Sequence, residues 1–176
     1  MIDFSRNHFD LFGLPVRFGL DVDALEQAYR ALQTEVHPDR YAGYDESDQR
    51  LALQASSRVN EAYRALKSPV ERGRYLLSLH GVDADAAARN SLDVEFLERQ
   101  LERREAAADA MADEDPAALD ALLAGVRRES RSIETELGTL LDGAGSSELA
   151  SKRLHQLTFL DKLASDIDAM LGELEG

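Results

Sequence analysis

Apolar residues recur along this chain at steps of three and four, and no segment keeps the strict alternation of a half-buried strand. From Asp21 onward, Leu25, Tyr29, Leu32 and Val36 mark one face of a helix. Pro38 biases His37 away from helical angles, so this helix is predicted to end near Val36. Asp23 followed by Glu26 reads as a capping box at its start. Upstream, residues 9–14 predict a short helical turn that stops before Pro15. Downstream, the polar stretch "DRYAGYDESD" leads to a stripe of Leu51, Ala55, Val59, Ala62/Tyr63 and Leu66. That stripe predicts a helix of about 20 residues, about 30 Å long. Two helices joined by such a loop pack antiparallel and hold the tripeptide "HPD" out at the hinge end.

The pattern continues as helix to the end of the chain. In "SPVER", Ser68 caps, Pro69 suits the first helical position and Glu71 completes a capping box. That helix runs through "YLLSLH" and stops at Gly81. Residues 81–92 read as a linker. Three longer helices follow: about 93–112, then Pro116 to Leu141, then about 147–174 after the break "DGAGSS". Amphipathic helices with short connections make a bundle. The fold class expected is all-α, with one unit over 1–80 and a three-helix bundle over 93–176.

Composition narrows the function classes. An apolar content of 44% with 31% charged residues belongs to a folded, soluble chain, and no apolar run approaches the ~18 residues of a membrane span. The start "MIDFSRNHFD" has no basic region followed by an apolar stretch, so no signal peptide is read and a cytoplasmic location is expected. The absence of cysteine removes disulfides, thiolate catalysis and thiolate metal ligands together. A formal net charge of −14 repels phosphate backbones and anionic membranes, and the "RR" pairs at 103–104 and 127–128 sit among glutamates. Neither nucleic acid nor membrane is expected as a partner.

The chemistry-bearing stretch is "EVHPDRY", Glu35 to Tyr41. His37 and Asp39 could form a base and its orienter, but no nucleophile or Gly-rich phosphate loop accompanies them, and residues flanking a proline point apart more often than together. His8, His37, His80 and His155 are too scattered to converge on a metal. His8, His80 and His155 read instead as partly buried helix residues. On the tripeptide alone a bare helix stop at Pro38, with Asp39 capping the loop, is the favoured reading, and a docking loop is the alternative.

The flanks decide between them. "HFDLFGLP" precedes, "LEQAYRALQTEVHPDR" carries the motif at the end of a tyrosine-bearing helix, and "VNEAYRALKSPVERGRYLLSLHG" follows. This resembles the J-domain, in which a helical hairpin presents a His-Pro-Asp loop. With "FLERQLERREAA" and "FLDKLASD" added, nearly the whole chain resembles the HscB family of J-type co-chaperones of bacterial iron–sulfur cluster assembly.

The resemblance implies a J-domain over 1–80, a linker over 81–92 and a scaffold-binding bundle over 93–176, arranged in an L. It implies that His37, Pro38 and Asp39, with Tyr29, Arg30 and Arg40 nearby, dock on the ATPase domain of the DnaK-like chaperone HscA and accelerate its hydrolysis. J-domains commonly carry a basic face on the helix before the motif. Here Arg30 and Arg40 stand against Asp23, Glu26 and Glu35, so electrostatic steering is expected to be weak. The resemblance further implies that Leu97, Leu101, Glu102, Glu105 and Asp109, with Phe159 of the last helix, bind the iron–sulfur scaffold protein IscU. Beside the Leu97 and Leu101 stripe runs an acidic ridge that includes Glu98, a position where the family can be apolar. Phe96 and Met111 lie on a separate apolar face, and a core stripe is the other reading of either face. No catalytic residue, metal or cofactor is expected, and a chain without thiols is poorly suited to hold the cluster itself.

Overall fold

In the computed structural model, which describes residues 6–84, 86, 94–143 and 145–175, the regular elements are all helical. The described elements are α1 (His8–Leu11), α2 (Val22–Val36), a 3-10 turn (Pro38–Tyr41), α3 (Glu46–Lys67), α4 (Pro69–Leu79), α5 (Val94–Ala112), α6 (Pro116–Asp142) and α7 (Ser147–Glu175). They form two compact units, residues 1–76 and 77–176. Most of the predicted linker lies outside the described residues. Within it Ala84 and Ala86 are helical, and Asp83 Oδ1 accepts from Ala86 N at 3.0 Å.

The first unit is built on the antiparallel pair α2 and α3, with α1 against α3. Phe9, Leu25, Val59, Ala62 and Leu66 are fully buried at its centre, with Phe12, Phe18 and Val36 around them. Asp21, rather than Asp23, caps α2: its Oδ1 accepts from Ala24 N at 3.0 Å. The helix therefore begins two residues earlier than the capping-box reading, and Glu26 is free to turn toward α3. Asp45 caps α3 in the same way, accepting from Asp48 N at 2.9 Å.

Around α4 the local signals divide. Ser68 Oγ accepts from Glu71 N at 3.3 Å, but the Glu71 carboxylate pairs with Arg74, so only half of the predicted box forms. At the far end Gly81 takes φ +74°, and Val82 N donates to Leu77 O while Gly81 N donates to Ser78 O, both at 3.0 Å. This left-handed cap ends α4 at Leu79 and leaves His80 exposed beyond the helix, not partly buried within it. His8 is buried and stacks on Tyr75 with ring centroids 4.0 Å apart, while its backbone N–H donates to Tyr75 Oη at 3.0 Å.

In the second unit α6 and α7 pack along their length as an antiparallel pair, and α5 lies against both. Leu119, Leu137, Leu154, Leu160 and Ile167 are fully or almost fully buried, with Leu123, Val126 and Leu163. Ion pairs tie the helices at their edges: Arg103 to Glu129, Arg153 to Glu136, and Arg127 Nη2 to both oxygens of Asp168 at 3.0 and 2.8 Å. Between α6 and α7 the chain doubles back so tightly that a Cβ on Gly145 would stand 2.7 Å from the Leu140 backbone. Between α5 and α6, Glu114 occupies the left-handed position that glycine usually fills, at φ +52°.

Candidate functional site

The tip of the α2–α3 hairpin is shaped by what Pro38 prevents. His37 leaves the helix with φ −58° and ψ 127°, and Pro38 opens the 3-10 turn. His37 Nδ1 accepts from Asp39 N at 3.3 Å and lies 3.6 Å from Asp39 Oδ2. The two side chains thus stand together, contrary to the expectation that residues flanking a proline diverge, because the tight turn brings the Asp39 N–H back over the ring. With Nδ1 accepting, the neutral imidazole carries its proton on Nε2, which leaves a donor for a partner. The His37 side chain is 54% exposed and that of Asp39 is 90% exposed. The pair suits recognition: one ring N–H donor and one carboxylate acceptor on a stiff turn.

The other residues expected at this site divide by environment. Tyr29 is half-buried, stacked on Tyr63 at 3.9 Å between centroids; its hydroxyl donates to Asn60 Oδ1 at 2.9 Å and accepts from Gln33 Nε2 at 2.8 Å. It clamps α2 to α3 from within. Arg30 is exposed but pairs with Glu26 at 3.4 Å. Arg40 turns back and donates to Thr34 O at 3.2 Å. Glu26 also receives Lys67 Nζ at 3.2 Å, and this hydrogen bond with the Lys67 charge holds its carboxyl below the ordinary range. Tyr63 and Glu26 in turn raise Lys67. Gln33, Asn60 and Thr34 were invisible to periodicity, since each is a polar residue beside an apolar stripe.

On α5 the two apolar faces have different fates. Phe96 is 1% exposed and meets the Phe159 ring edge-on at 6.3 Å, so it belongs to the core. Leu97 and Leu101 are 43% and 58% exposed, with Val94 at 68%. Glu98, Glu102, Glu105 and Asp109 are all exposed beside them, and among the described residues none of the four forms an ion pair. Phe159 is half-buried between Phe96 and His155, whose ring lies 5.2 Å away. The structure therefore gathers Leu97, Leu101, Glu102, Glu105 and Asp109 on one face and seats Phe159 against the core residue next to Leu97. Among the described residues no cluster of three or more metal-ligating side chains occurs, and no helix is long and apolar enough to cross a membrane.

Comparison with known proteins gives one family. The profile described as the HSCB C-terminal oligomerisation domain matches residues 92–168. The chain is 46% identical over 175 residues to the co-chaperone protein HscB homolog of Burkholderia multivorans, covering 99% of each chain. The chaperone HscB from Vibrio cholerae aligns with a TM-score of 0.85 at 35% identity, over 96% of this chain and 99% of that one. Human co-chaperone protein HscB aligns with a TM-score of 0.86 at 26% identity, over 96% and 83%. With full-length identity to a curated relative and the same helical architecture, the chain belongs to the HscB family of co-chaperones, which are not enzymes.

Proposed function

We propose that this protein stimulates the ATPase of the DnaK-like chaperone HscA and delivers the iron–sulfur scaffold protein IscU to it, in the cytoplasm. His37, Pro38 and Asp39 form the stimulatory contact, with Arg30 beside it and Tyr29 holding the hairpin behind it. Leu97, Leu101, Glu102, Glu105 and Asp109 receive the scaffold, with Phe159 supporting that face. The J-domain of 1–80 and the bundle of 93–176 divide the two tasks. The observation that carries this reading is the exposed pair of leucines on α5 flanked by exposed carboxylates, in a chain whose relatives are HscB co-chaperones. Exposed leucines next to a fully formed core contact have no structural duty there, and burying them against a client is favourable.

The test is single-turnover ATP hydrolysis by HscA with this protein and the scaffold, added separately and together. Stimulation by this protein that rises further with the scaffold is the expected result; no stimulation in either case overturns the reading. A second reading has one specific support, the word oligomerisation in the description of the matched C-terminal profile. On that reading the same leucine face joins two copies of the chain. Sedimentation equilibrium separates the two, because a client face leaves the free protein monomeric.

A further inference from the structure

Pro38 removes a donor from the end of α2. In an α-helix the carbonyl of residue i accepts from the N–H of residue i+4. Thr34 O should therefore bond to residue 38, but residue 38 is proline and has no N–H. The donor that arrives instead is Arg40 Nη1, at 3.2 Å. The Thr34 hydroxyl is itself committed to Arg30 O at 2.9 Å, so it offers no substitute anchor. On the other side of the turn, Arg40 N donates to His37 O at 3.0 Å and Asp39 N donates to His37 Nδ1 at 3.3 Å. The turn is thus fastened to α2 at two points, the covalent joint through His37 and the guanidinium of Arg40.

We infer that Arg40 is a positioning residue, whose guanidinium replaces the N–H that Pro38 removes and so sets where His37 and Asp39 stand relative to α2. This rests on the reading of His37 and Asp39 as the stimulatory contact. Without the Arg40 bond the turn keeps its packing on α3 and the Gln49 bonds to Ala42 O and Tyr44 O but only the covalent joint to α2, so its placement relative to α2 loosens and only a fraction of molecules present the pair correctly. A lower competent fraction raises the concentration needed for half-maximal stimulation by the inverse of that fraction, while the plateau at saturation stays the same. A cation that touched the partner directly would behave differently: its loss would flatten the salt dependence of docking.

The experiment uses the full chain as wild type, Arg40→Ala and Arg40→Lys. Backbone amide order parameters for residues 39–42 are measured on the isolated protein, and stimulated ATP hydrolysis by HscA is titrated at low and high salt. Arg40→Ala should lower the order parameters from the rigid range of about 0.85 toward 0.6. It should raise the half-maximal concentration roughly tenfold, the worth of one hydrogen bond from a charged donor, with plateau and salt slope unchanged. Arg40→Lys should restore most of both, since an ammonium donates to the same carbonyl. Unchanged order parameters, a lower plateau or a flatter salt dependence in Arg40→Ala overturns the proposal. If wild type itself fails to stimulate, the docking reading falls, and the order parameters alone decide whether Arg40 holds the turn.

Discussion

Residues 96 and 97 are neighbours on α5, yet truncating them should do opposite things. Phe96 is 1% exposed, and Phe96→Ala should cost about 3–5 kcal/mol of stability through lost burial and the cavity left behind. Leu97 and Leu101 expose 43% and 58% of their surface. Fully burying a leucine side chain contributes about 1.5–3 kcal/mol, so covering the exposed part of Leu97 is worth about 0.6–1.3 and that of Leu101 about 0.9–1.7 kcal/mol. Together they offer about 1.5–3 kcal/mol to a client, roughly 10- to 150-fold in Kd. Alanine keeps its Cβ, so these are upper values. The assay pairs calorimetric titration of the scaffold into the Leu97→Ala/Leu101→Ala variant with urea unfolding followed by circular dichroism. Binding should weaken within that range while stability changes by less than about 0.5 kcal/mol, as at ordinary surface positions. A folded double variant that binds as tightly as wild type refutes the assignment of the client face. So does a stability loss above about 1 kcal/mol, which would make these leucines part of the core.

Three further outcomes follow from other parts of the molecule. His37→Gln and Asp39→Asn should each abolish stimulated ATP hydrolysis and leave scaffold binding and the urea midpoint unchanged; wild-type stimulation by either variant would return the tripeptide to a helix stop. Burial, and then the Arg58 charge, hold the His8 imidazole below its ordinary value of 6.5, with Glu61 opposing them in part. The unfolded chain therefore takes up this proton first, so the stability that neutral His8 supplies is complete above pH 6.5 and is lost as pH falls toward the folded value. His8→Phe should flatten urea midpoints measured between pH 5 and 7.5, and an unchanged slope would clear His8 of that role. Glu114→Gly should stabilise the α5–α6 turn by roughly 0.5–1 kcal/mol, the left-handed cost relieved less the backbone entropy that glycine adds to the unfolded chain; a lower melting temperature would contradict this.

Periodicity located the described helices closely because each buries one apolar stripe, and prolines or glycines punctuate most of their ends. The end of α2 at Val36, the start of α6 at Pro116 and the Gly81 cap were all legible for that reason. The α5–α6 turn was legible only through Pro116, since Glu114 supplies the left-handed residue without the glycine that announces one. Which aspartate caps α2 was misjudged because Asp21 and Asp23 are equivalent in residue type, and Glu26 suggested a box while serving Lys67 instead. The candidate sites were legible as residues but not as arrangements. Nothing in the helical wheel says whether Phe96 or Leu97 faces inward, because that depends on where α6 and α7 lie. The pairing of His37 with Asp39 and the return of Arg40 to Thr34 come from the turn geometry. The second had a readable cue all the same: a proline four residues after Thr34 leaves that carbonyl seeking a donor.

The placement of the tyrosines has a spectroscopic consequence. Tyr29, Tyr41, Tyr44, Tyr63 and Tyr75 are all five tyrosines of the chain, every one lies in the unit of residues 1–76, and there is no tryptophan. Tyrosine emission therefore reports on the first unit alone, with the Tyr29–Tyr63 stack and the His8–Tyr75 stack as its natural sensors. The second unit has no tyrosine and supplies the larger share of the far-ultraviolet helical signal through its three long helices. One unlabelled sample thus gives two separable melting curves, and coincidence or divergence of their midpoints measures how strongly the two units are coupled in unfolding.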